Sequence, residues 1–157
     1  MAQIKDDILK GIIEIDGVTI NAKTTLKDLE QIEIDKAVLR SHPHGYLDVI
    51  FNHPLVDDGV NFQVTARHIK KYDVIIIFLD PKLSTRYRNV IDESRAKQEV
   101  CEEWLKRNMA VPPTRDTADG IFYDFDWGHV YCSAAEHINY GHLEGGIQII
   151  YAGSEDV

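Results

Sequence analysis

The segment Tyr123-Asp-Phe-Asp-Trp127 sets two carboxylates, Asp124 and Asp126, between aromatic residues. Alternate residues of a strand leave the same face, so Asp124 and Asp126 are expected side by side. Two carboxylates there could share a proton, hold a cation or do acid–base work, with Glu136 as a third member. The plainer expectation is the polar face that any half-exposed strand carries. As a stiff patch of negative charge, the same residues suit encounter with a basic partner. Glu144, Tyr131 and Tyr140 belong with this face, because tyrosines interleaved with acids are typical of protein-binding surfaces.

Other chemistry finds less support. The chain has seven histidines. His42, His44 and His53 lie near one another in sequence, and His129, Cys132, His137 and His142 lie near the end. Zinc ligands come in tight pairs that converge, and neither group has such a pair. His129 and Cys132 are three apart in a strand pattern and so fall on opposite faces. A cysteine nucleophile needs a base and a setting that lowers its pKa, and nothing around Cys132 provides one. Ser84, Ser94 and Ser133 lack the sharp strand-to-helix turn of an activated serine. Gly145-Gly146 precedes a strand pattern, so no helix amides are aimed at a phosphate. No cofactor is expected.

These residues sit on elements that the pattern predicts throughout. Ile12–Ile20 reads as a hairpin turning at Asp16-Gly17. A short helix is expected at about 25–31, with Thr24 or Thr25 capping it and Leu26 and Leu29 on one face. Strands follow at Val38–Ser41 and Tyr46–Asn52. Asp57-Asp-Gly59 turns the chain into Val60–Arg67, the cleanest alternation in the sequence. Val74–Leu79 is continuously apolar, as a central strand covered on both sides would be. The main helix spans about 87–109, with Ala96, Val100, Cys101, Trp104 and Leu105 as its apolar stripe. Pro112–Asp119 reads as a mobile loop. Strands at Ile121–Trp127, Val130–Ala135 and Ile147–Tyr151 complete the pattern, the last closing the sheet, with fraying ends at Met1–Asp6 and Gly153–Val157. The predicted fold is α+β: one twisted, mostly antiparallel sheet with both helices packed on it, in a single domain covering 1–157.

A chain of 157 residues can bury a sizeable core without disulfides or metal. Its formal charge of −9 argues against nucleic acid and against an anionic membrane as partner. The imbalance is local: residues 114–157 hold one basic residue, Arg115, against eight acids. Two cysteines make no disulfide framework, and acids near the start interrupt any signal-like apolar run, so a cytoplasmic location is expected.

The run Tyr123-Asp-Phe-Asp-Trp-Gly-His-Val-Tyr-Cys-Ser133 followed by Gly145-Gly-Ile-Gln-Ile-Ile-Tyr151 resembles small bacterial proteins of immunity type. The opening Gly11–Ile20 with Thr25-Leu-Lys-Asp-Leu29 is similar to the same group. Such proteins accompany polymorphic toxins, including those of contact-dependent growth inhibition, and block them by binding. The resemblance implies a protein that binds a toxin domain and implies no particular site residue; the acidic segment adds that the partner is basic, and the lack of convergent catalytic groups that the chain is a non-enzymatic binder. The alternative is a small enzyme or ligand-binding domain with a pocket between sheet and helix, served by Asp124, Asp126, His129 and His137.

Overall fold

Asp16-Gly17 and Asp58-Gly59 each place two consecutive residues at positive φ, 51° and 80° in the first pair and 48° and 76° in the second. That geometry closes two-residue hairpins with the twist strands prefer. The first turn joins β1 (Ile13–Ile15) to β2 (Val18–Ile20). The second joins β5 (Leu55–Asp57) to β6 (Val60–Ile69). The computed structural model describes residues 8–83, 87, 89–133 and 146–151.

Between β2 and the main sheet lies helix α1 (Leu26–Glu30). Its start is held by a reciprocal pair of bonds. The Thr25 hydroxyl accepts from the Asp28 N–H (3.2 Å), and the Asp28 carboxylate accepts from the Thr25 N–H (2.9 Å). The remaining elements are β3 (Ala37–His42), β4 (Tyr46–Phe51), β7 (Val74–Pro81), helix α2 (Val90–Asn108), β8 (Arg115–Thr117), β9 (Gly120–Phe125), β10 (Gly128–Ser133) and β11 (Ile147–Tyr151).

Among the described residues nine strands form one sheet in the order β3-β4-β6-β7-β11-β10-β9-β8, with β5 beside β6. Every pairing among the described residues is antiparallel. The fold is therefore α+β, with a mostly antiparallel sheet, one main helix and a short one. Val74–Leu79 is buried along its whole length and lies mid-sheet, as its composition requires.

The registers sort side chains onto two faces. Val49, Ala66, Ile77, Ile149, Val130 and Tyr123 stand in line across the inner face. Against them pack Cys101, Trp104 and Leu105 of α2, Leu29 of α1 and Ile13, Ile15 and Ile20 of the small hairpin. Each large apolar side chain so buried contributes about 1.5–3 kcal/mol. Trp104 meets Phe62 edge-on (5.7 Å, 85°) and donates to Asp57 Oδ2 (3.0 Å). Arg107 and Asn108 both donate to Asp58 Oδ2, which fastens the end of α2 to the β5–β6 turn.

Four expectations change. β11 does not close the sheet at an edge; it lies between β7 and β10. Residues 115–117 of the expected loop form strand β8, held by β9. β5, which had no expected counterpart, adds to β6. Trp127 leaves the strand because Asp126-Trp127 is the turn between β9 and β10. Trp127 instead covers Gly11, whose added Cβ would lie 2.6 Å from the indole, and donates to the Leu9 carbonyl (2.9 Å). Gly11 also sits at φ 73°, so two independent constraints select glycine there.

Candidate functional site

Alternation along β9 and β10 brings Phe122, Asp124, His129 and Tyr131 onto the outer face, away from α2. Asp124 stands opposite His129 in register, and Asp124 Oδ1 lies 2.7 Å from His129 Nδ1. Both side chains are half exposed, at 47% and 49%. Beside them Phe122 and Tyr131 stack, 5.8 Å apart and 14° from parallel. Arg115 of β8 lies 4.2 Å above the Phe122 ring. The Tyr131 hydroxyl donates to Gln148 of β11, and burial pushes its phenol up to about 12. The result is a platform of arginine, two rings and a carboxylate–imidazole pair on three adjacent strands.

Asp126 is exposed but does not stand beside Asp124 on the strand, since it occupies the β9–β10 turn. The chain must reverse there, which ends the alternation that would have aligned the two carboxylates. Asp119 precedes the opposite end of β9, roughly 20 Å away for a strand of that length. Asp116 approaches Lys106 of α2 (3.7 Å). The described acids of this region are thus spread over β8, β9 and the turns beside them, with Asp116 near Lys106 and Asp124 beside His129. Glu136, His137, Tyr140, His142 and Glu144 lie outside the described residues, as do both expected fraying ends.

The same outer face carries a second cluster that the sequence reading missed. Asp48 of β4 stands opposite Arg67 of β6. Two bonds join them, Nε to Oδ1 (2.7 Å) and Nη2 to Oδ2 (2.9 Å). His42 Nε2 lies 3.0 Å from Asp48 Oδ2. The guanidinium of Arg67 sits 4.3 Å over Tyr46 and 5.3 Å from the Phe78 ring, and His42 stacks on Tyr46 at 4.5 Å. Burial alone would raise the Asp48 carboxyl. The hydrogen bonds and charge of Arg67, aided by His42, outweigh it and hold the group below its ordinary value. Only the register of β4 on β6 reveals this cluster, and the intervening β5 hides that register from the sequence.

Two further carboxylate–imidazole contacts occur elsewhere, His68 with Asp73 (2.7 Å) and His53 with Asp16 (3.3 Å). The four pairs lie apart. No group of three or more His, Cys, Asp or Glu able to hold a metal ion is found among the described residues. Cys101 and Cys132 are neighbours in the core. Burial, with Cys132 beside it, pushes the Cys101 thiol well up, the opposite of what a nucleophile needs.

A cleft of about 290 Å³ opens at one end of the sheet, between the 21–25 loop and the β6–β7 turn. Lys23, Thr24, His68, Tyr72 and Asp73 are among the residues lining it. Asp124, Asp126 and His129 are not, and α2 contributes none of its walls.

Compared with known proteins, the chain matches no family model, no curated protein and no solved structure. No described helix is long and apolar enough to cross a membrane.

Proposed function

We propose that this chain acts by binding another protein, as a non-enzymatic immunity-type protein that covers a basic toxin domain. The observation that carries this reading is the platform on β8–β10. A stacked Phe122–Tyr131 pair is held stiffly by three strands and flanked by Arg115 and the Asp124–His129 pair. Aromatic rings with an arginine are the residues that dominate binding energy at protein interfaces. Exposed carboxylates at the rim, Asp124 and Asp126, speed encounter with a basic surface. Glu136, Glu144 and Tyr140 are assigned to the same face on sequence grounds.

The reading is tested by co-purification with the product of the adjacent upstream gene, followed by titration calorimetry. A 1:1 complex is expected, weakened strongly by Tyr131→Ala and by Asp124→Lys with Asp126→Lys. A tight complex indifferent to those changes removes the platform, and the absence of any complex removes the reading. A second reading, a small enzyme or ligand-binding domain, is favoured by one observation, the cleft beside His68 and Lys23.

A further inference from the structure

The two edges of the nine-stranded sheet are built differently. β8 is three residues long and follows Pro112-Pro113. It carries Arg115 and Asp116, and the Thr114 hydroxyl takes up the Asp124 N–H just past its end (2.9 Å). Shortness, charge and proline are the means by which proteins close a sheet edge.

β3 is guarded less. It is six residues long, with Arg40 its one fully charged residue and proline only after its end at Pro43, and it pairs with β4 in unbroken register. The Asn52 N–H donates to the Lys36 carbonyl (2.9 Å), which sets the phase of the ladder. Val38, Arg40 and His42 therefore turn their backbone groups toward β4, and Leu39 and Ser41 turn theirs outward. No described residue takes those outward groups. Apolar side chains are exposed along the same edge: Val38 (47%), Leu39 (36%) and, just before the strand, Ile34 (85%).

Charge selects what would pair there. From residue 36 to residue 47 the chain has Lys36, Arg40, His42 and His44 and no acid, although the chain as a whole carries −9. Glu33 and Asp35 precede the strand, and the next acid, Asp48, is taken by Arg67. Pairing of β3 with β3 of a second copy would bring two Arg40 and two Lys36 into one interface with no acid on either strand.

We propose that β3 accepts an extended acidic segment of a partner protein as an added strand. Leu39 and Ser41 supply the backbone donors and acceptors. Alternation in the incoming strand places acidic side chains beside Arg40 and apolar ones beside Leu39. This surface is separate from the β8–β10 platform and does not depend on it.

The test uses the full chain and a labelled synthetic peptide alternating valine with glutamate, read by fluorescence anisotropy. Saturable binding that falls with added salt is expected, with none for the peptide carrying lysine in place of glutamate. Leu39→Pro removes an outward N–H without touching the β3–β4 ladder, and should weaken binding about tenfold or more. Arg40→Glu should weaken it comparably and does not disturb the backbone, so it reads the proposal even if the proline variant fails to fold. Equal binding of both peptides, failure to saturate, or indifference to Arg40→Glu overturns the proposal. A concentration-dependent dimer that Arg40→Glu strengthens, with no peptide bound, overturns it in favour of self-pairing.

Discussion

The outer face holds two clusters of nearly the same composition and opposite exposure. At β4 and β6, Arg67 lies over Tyr46 and near Phe78, and Asp48 takes both Arg67 and His42. At β8–β10, Arg115 lies over Phe122, Phe122 stacks on Tyr131, and Asp124 meets His129. In the first, the Arg67 and Asp48 side chains are 12% and 9% exposed; in the second, Asp124 and His129 are about half exposed. Composition therefore does not decide how firmly such a cluster is held. Water does: a sealed ion pair is costly to break, whereas an exposed carboxylate–imidazole contact is cheap to open.

The largest contrast should come from the arginines. Arg67→Ala leaves Asp48 buried without its main partner and is expected to cost about 3–5 kcal/mol in urea unfolding. Arg115→Ala, from an exposed edge, should cost less than about 1 kcal/mol. Equal costs would break the comparison.

Acid sharpens it next. Asp48 is held below its ordinary value of 3.8, so its contribution to stability is fully present above that value. The contribution is lost as pH falls through the lower value in the folded state. Asp48→Asn should flatten this acid limb in a stability-against-pH series.

Tyr131→Phe loses the bond to Gln148 and should cost about 0.5–1.5 kcal/mol. It should also reduce the loss of stability between pH 10 and about 12. Over that interval the unfolded phenol releases its proton while the folded one keeps it. The smallest effect is expected for Asp124→Ala, about 0.2–1 kcal/mol on stability, with a clear loss of affinity in the complex proposed above. A large loss of stability there would mean that the open cluster is structural after all.

Local chemistry made much of the fold legible. Asp-Gly pairs gave the two tight turns, strict alternation gave β6, and an unbroken apolar run placed β7 mid-sheet. What stayed hidden depends on partners distant in sequence. Nothing within Ile147–Tyr151 says that it pairs with both β7 and β10, and nothing in Arg115–Thr117 announces a strand, since β9 supplies the order. At the site, the exposure of Asp124 followed from alternation. Asp126 did not, because a two-residue turn interrupts the period where Trp127 is drawn toward Gly11. Asp48 and Arg67 were invisible as a pair because β5 and a turn separate their strands.

The position of β11 constrains how a growing chain can reach this state. Strands β3–β7 and β8–β10 are synthesised as two separate ribbons, and among the described residues only Ile147–Tyr151 joins them into one sheet. Until that stretch docks, Val74–Leu79 has a strand partner in β6 alone, and its other margin is unbroken and apolar. Newborn chains should therefore depend on chaperones through that interval, and release of a chain ending before Ile147 should send it to aggregates or proteases.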